Sequence, residues 1–176
     1  MKAWARGFTL IELLISFSVV ALIAGLGFAS FNQFNRRQQV VNAAQALLTD
    51  LRLAQSKAQN MEIPPGPTST DCSKPLCATL CQTNPLVGYQ LDFAGSLTTY
   101  SLKALCPPLS LVVKTVTFPS GIQKSGGLTS VTFKSLRGGV TFAPEGVTNV
   151  VVGSTILTKT INISAGGEIS LGDDQP

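Results

Sequence analysis

The chain has 176 residues, about the length of one ordinary domain, which excludes a multidomain enzyme. Charged residues make up only 12% against roughly 25% in an average soluble domain, and hydrophobic ones reach 44%; this composition argues against disorder and leaves apolar surface needing cover beyond a small core. The net charge of +4, from 13 basic and 9 acidic side chains with no run of five like charges, does not predict nucleic-acid binding, and the absence of histidine removes the commonest general base and metal ligand.

The apolar excess is concentrated at the N-terminus. Between Arg6 and Arg36 the only charge is Glu12, and Phe8 to Phe31 is otherwise Leu, Ile, Val, Phe, Ala, Gly and small polar residues. A helix over those residues would reach ~36 Å, enough to cross a bilayer core of ~30 Å. A removed secretory signal is the rival reading, with Lys2 and Arg6 as its basic start and Gly27-Phe28-Ala29 as a loose cleavage site. The run is too long for that, carries a carboxylate near its start, and continues into a further helical pattern. An unpaired carboxylate in a membrane helix costs ~2.5 to 3.5 kcal/mol on insertion scales, so Glu12 needs a partner. Cutting between Gly7 and Phe8 would supply one: the new ammonium stands four residues before Glu12, on the same helix face. It could belong to the same chain or to a neighbour.

Lys2 to Gly7 followed by Phe8-Thr9-Leu10-Ile11-Glu12-Leu13-Leu14-Ile15 resembles the class III signal of type IV pilins and type II secretion pseudopilins, in which a short basic leader ends in glycine. Asn42-Ala43-Ala44 and Asp50-Leu51-Arg52-Leu53-Ala54-Gln55-Ser56-Lys57-Ala58 are similar to the GspH/FimT minor pilins. Ile161-Asn162-Ile163-Ser164-Ala165-Gly166-Gly167-Glu168-Ile169 resembles the closing strand pair of that family, whereas residues 61 to 85 have no counterpart in it. One departure is Ala29, where most members have proline. Gly25 and Gly27 either loosen the helix there, at about 1 kcal/mol each relative to Ala, or permit close helix contact.

Beyond the apolar run the helical pattern turns amphipathic. Val40, Ala44, Leu47, Leu51, Ala54 and Ala58 recur at alternating steps of four and three, while Arg36, Arg37, Gln38, Gln39, Gln45, Asp50, Arg52, Gln55 and Lys57 occupy or border the other face. Asn60 and Ile63-Pro64-Pro65-Gly66 end the helix. A coiled coil shares this periodicity, but an Ala-rich stripe followed by strands favours packing within the chain.

The loop at 61–85 is rich in Pro, Ser and Thr and holds Cys72, Cys77 and Cys81; Cys106 stands just before Pro107-Pro108. These spacings, without histidine, are a poor zinc signature. Four cysteines on the far side of a membrane read instead as two disulfides, with three possible pairings.

The remainder alternates with period two. Strands are expected at Gly88 to Phe93, Leu97 to Leu105, Leu109 to Phe118, Leu128 to Leu136, Gly139 to Phe142, Val147 to Val152, Ile156 to Ile163 and Glu168 to Leu171. Gly126-Gly127, Arg137-Gly138-Gly139 and Ala165-Gly166-Gly167 are read as turns, none matching a phosphate-binding or dinucleotide pattern. Asp92, Glu145 and Glu168 are isolated in sequence, and Asp173-Asp174 is a solvated tail or at best a cation site.

The expected fold is α+β: a pilin-like lollipop, with the outer half of one long helix packed on an antiparallel β-domain of roughly seven or eight strands in two small sheets. Four parts are expected: a leader at 1–7, a transmembrane and assembly segment at 8–34, an amphipathic helix at 35–60 and a β-rich domain at 61–176. The resemblance implies a minor pilin or pseudopilin, not an enzyme, with no cofactor and no metal. It implies prepilin peptidase cutting between Gly7 and Phe8, methylation of Phe8, charge pairing by Glu12, and partners in the lipid bilayer and in other pilin subunits. The chain would sit in the bacterial inner membrane with its β-domain outside the cytoplasm. A DNA-uptake pilin is a second reading, disfavoured because loss of Lys2 and Arg6 leaves eleven basic against nine acidic side chains. A membrane-anchored β-domain outside any filament is a third, and Glu12 argues against it.

Overall fold

The computed structural model describes residues 9–64, 85–136, 138–155 and 157–172, with the backbone but not the side chains of 25–30 and 109. Its elements are a helix α1 (Leu10–Gln59) followed by nine strands. These are β1 (Gly88–Asp92), β2 (Thr99–Cys106), β3 (Leu109–Thr117), β4 (Gln123–Gly127), β5 (Ser130–Lys134), β6 (Val140–Ala143), β7 (Asn149–Gly153), β8 (Thr158–Ile163) and β9 (Ile169–Leu171). The fold is α+β, with antiparallel sheets following the helix.

The chain divides into two compact units, residues 1–38 and 39–176. In the first, the described side chains of α1 are nearly all exposed, including Leu10, Ile11, Leu14, Phe17, Val20, Leu22 and Ile23. A helix apolar on every side has no face that prefers water.

In the second unit, the amphipathic stripe read from the sequence is the helix's buried face. Val40, Ala44, Leu47, Leu51, Ala54 and Ala58 are all fully buried. All of these but Ala44 belong to one core with Tyr89, Leu91, Leu102, Val131 and Phe133 from one sheet and Val150, Val152, Ile161 and Ile163 from the other. The stripe therefore serves packing within the chain. Its small alanines let the helix backbone approach closely, while Leu47 and Leu51 supply volume; truncating either to Ala would cost about 2 to 5 kcal/mol.

The end of α1 is capped without glycine. Met61 takes a left-handed conformation, φ 50°. The Glu62 N–H donates to the Lys57 carbonyl at 3.0 Å and the Met61 N–H to the Ala58 carbonyl at 3.3 Å, the bond pair of a Schellman motif. The apolar contact that usually closes this motif is replaced by an ion pair between Lys57 and Glu62.

Five strands form one sheet in the order β3-β2-β1-β5-β6, and four form the other in the order β4-β7-β8-β9. Inward residues alternate as the period predicts: Tyr100, Leu102, Ala104 and Cys106 of β2 are buried, while the residues between them are half-buried. Among the described residues the strands number nine, not the expected seven or eight, because Gly126-Gly127 is the end of strand β4 and not a turn. Gly126 pairs with Val151 and Gly127 with Val150, with a register shift between Lys124 and Gly126. The lack of a side chain at Gly127 is what permits this pairing. Gly127 has φ +84°, and a Cβ there would lie 2.0 Å from the Asn149 carbonyl oxygen.

Candidate functional site

The start of α1 is built by Thr9. Its carbonyl accepts from the Leu13 N–H at 3.3 Å, and its Oγ1 lies 3.4 Å from the Glu12 backbone nitrogen that donates to it. Thr9 is thus the N-cap and Glu12 the third helical residue, the spacing of a capping box. Sequence reasoning treated Glu12 only as a charge in lipid and missed this; the Thr-x-x-Glu pattern ahead of an apolar run was the available signal. The Glu12 side chain is exposed and lies where the positive end of the helix dipole favours an anion. Ser16 and Ser18 return their hydroxyls to the Glu12 and Leu14 carbonyls at 2.8 and 2.9 Å, which satisfies both groups without water.

Gly7 and Phe8, the expected cleavage and methylation pair, lie outside the described residues, as does any pairing of Glu12 with the Phe8 amine. Among the described residues no helix is long and apolar enough to cross a membrane. The side chains of residues 25–30, within the segment assigned to the span, are outside the described set.

Residues 5–28 match the family described as the prokaryotic N-terminal methylation motif. The N-terminus is type IV pilin-like. The matched segment contains Gly7, Phe8, Thr9 and Glu12 and ends before the amphipathic half of α1. That motif implies processing by a prepilin peptidase and assembly with other pilin subunits. No curated protein and no solved structure matches the chain.

The second unit carries a polar node in its core. Asp50, assigned by periodicity to the polar side of the helix, is instead 5% exposed. It flanks the buried stripe next to Leu51 and tolerates burial because its carboxylate is matched. The Tyr100 hydroxyl donates to Oδ2 at 2.7 Å, and the Lys114 ammonium donates to Oδ1 at 2.8 Å and Oδ2 at 3.0 Å. Burial, then the hydrogen bond to Asp50, then the Asp50 charge push the Tyr100 hydroxyl far above its ordinary value. Tyr89 donates to the Glu62 carbonyl at 2.6 Å, and burial followed by the Glu62 charge raises it to about 12. Gln55 donates from Nε2 to the Gly167 carbonyl at 2.8 Å and so joins α1 to the turn between β8 and β9.

Lys124 is 8% exposed, with its ammonium 6.0 Å from the centre of the Phe93 ring. Phe93, Tyr100 and Phe118 stack in tilted contacts at 5.7 and 5.3 Å. Asp92 pairs with Lys103 and accepts from the Ala94 N–H at 2.8 Å, a turn-stabilising role. Glu145 and Glu168 are exposed, and Asp173 and Asp174 lie outside the described residues. Cys106 is buried and disulfide-bonded. Cys72, Cys77 and Cys81 lie outside the described residues.

Proposed function

We propose that this chain is a minor pilin or pseudopilin of the GspH/FimT kind, a structural subunit that initiates a filament or sits near its tip. In this reading the peptidase cuts after Gly7 and the Phe8 amine is methylated. Residues 8–34 hold the subunit in the inner membrane, with the β-rich part outside the cytoplasm in a lollipop arrangement. Two disulfides among Cys72, Cys77, Cys81 and Cys106 suit that oxidising side.

The observation that carries the reading is the methylation motif at residues 5–28, whose Gly7-Phe8 junction stands immediately before the Thr9 cap of α1. The apolar side chains exposed on all sides of the first unit support it, since only lipid or neighbouring helices would cover them. Glu12 is the single charge between Arg6 and Arg36, and a charge kept in such a segment has a functional partner by default.

N-terminal mass spectrometry of the native protein tests the proposal. The expected species begins at methylated Phe8, and a start at Ser30 or an intact Met1 overturns it. Replacing Gly7 by a bulky residue is expected to leave the leader attached and the preprotein in the membrane.

A further inference from the structure

A cleft of about 310 Å³ opens in the second unit where the last turns of α1 meet both sheets. Gln55 and Gln59 of the helix, Phe133 and Lys134 at the end of β5, Gly139 before β6 and Gly167 before β9 line it. Its volume falls at the lower end of the usual range for ligand sites, about 300 to 1,000 Å³.

Among the described lysines, Lys57, Lys103 and Lys114 each hold a carboxylate, Lys124 lies over the Phe93 ring, and Lys159 is also engaged. Lys134 has no such partner and stands at the cleft. The two glutamines stand one helical turn apart, so their amides share a face. Gln55 is fixed by its bond to Gly167 and retains an acceptor and a second donor hydrogen, and Gln59 adds a complete amide. Gly139 is exposed and carries no side chain, and a Cβ added there would meet nothing within 4 Å, whereas Gly167 is buried behind the Gln55 amide. A backbone can therefore lie close to the cleft at Gly139.

We infer that this cleft binds an extended peptide segment carrying a carboxylate, presented by a partner protein. Amide donors and acceptors match a peptide backbone, the open space at Gly139 admits it, and the Lys134 ammonium meets the acid. Among the described residues that line the cleft, the Lys134 ammonium is the one charge, and one ammonium balances one carboxylate, whereas a phosphate group, with a charge of about −1.5 to −2, would remain undercompensated. This inference stands apart from the filament reading, since it concerns only residues of the second unit.

The test uses the ¹⁵N-labelled full chain in detergent micelles, titrated with acetyl-Val-Asp-Val-Asp-amide and with its Asn-for-Asp counterpart. Saturable shifts are expected at the Gln55 and Gln59 side-chain amides and the Gly139 and Gly167 backbone amides, weaker with the Asn peptide. Lys134→Met is expected to bind the acidic peptide about threefold more weakly at low salt, the scale of an exposed ion pair, with unchanged melting. Four results overturn the inference: no saturable shift at those groups, equal binding of the two peptides, undiminished binding by Lys134→Met, or the same shifts produced by inorganic phosphate alone.

Discussion

The Asp50 carboxylate and the Tyr100 hydroxyl, fifty residues apart in sequence, meet at 2.7 Å in the core, and Lys114 closes the far side of the carboxylate. The bond ties the helix to β2, while the lysine reaches in from the outer strand β3. Removing the tyrosine hydroxyl leaves a buried acceptor short of one partner. Tyr100→Phe is therefore expected to lower stability by about 1 to 3 kcal/mol, and Asp50→Ala by a similar amount, because it leaves the buried hydroxyl without its acceptor while the half-exposed Lys114 ammonium turns to water. Urea midpoints at constant m-value measure both. A Tyr100→Phe midpoint equal to wild type means the hydroxyl does not carry the link.

The chain has only two tyrosines, so tyrosinate absorbance reports on both at once. Folded Tyr89 titrates at about 12 and Tyr100 higher still, against about 10 in an unfolded chain. Above pH 10 the unfolded chain binds fewer protons than the folded one, so stability falls as pH rises and is whole below that point. A native sample at pH 11 is expected to show little of the tyrosinate absorbance that the same sample shows in urea. Full ionisation of either tyrosine in the folded protein at pH 11 contradicts the geometry around it.

Gly126 and Gly127 are neighbours in β4 but face different demands. Gly127 has a positive φ and a carbonyl in the space of a Cβ, while a Cβ at Gly126 meets nothing within 4 Å. Gly127→Ala is expected to cost at least about 1 to 2 kcal/mol from backbone handedness alone, and Gly126→Ala to be near neutral. Thermal melts of the two variants side by side decide it; equal losses would place Gly127 in a turn after all.

Cys106 is disulfide-bonded, and the proposed second bridge accounts for the remaining cysteines. Thiol titration in denaturant without reductant is expected to find no reactive thiol, and four after reduction. Each bridge is expected to contribute about 2 to 4 kcal/mol by restricting the unfolded chain. Two free thiols would limit the protein to one bridge.

Glu12→Gln keeps side-chain shape and removes charge. The Thr9 cap bonds the backbone nitrogen of Glu12, so the helix start is expected to survive the change. Normal cleavage and loss of recovery with sheared filaments or co-purifying subunits are expected, because the Phe8 amine of a neighbour loses its counter-charge. Incorporation at the wild-type level would favour self-pairing within one chain. Thr9→Ala separates the two roles: it weakens the helix start by about 1 kcal/mol and leaves the carboxylate in place.

What the sequence determined by itself was local. The steps of four and three from Val40 to Ala58 are a property of one helix, and each of those side chains is fully buried. The alternation in β2 likewise needs only neighbouring residues to be legible. The Gly7-Phe8-Thr9 junction is a contiguous pattern, which is why it was readable without any contact.

Tertiary structure alone decided the rest. The helical repeat put Asp50 beside the polar face, but Tyr100 and Lys114 arrive from fifty and sixty-four residues away and make its burial tolerable. Local propensity made Gly126-Gly127 a turn, but β7 offers a backbone that only glycine can approach so closely, and the pair became a strand. The cleft at Lys134 draws on α1, β5 and the turns before β6 and β9, segments that no repeat relates to one another. Periodicity records which face of an element avoids water; which partner covers that face is set by the energy of the whole packed core, and pairing and burial at a distance follow from that energy alone.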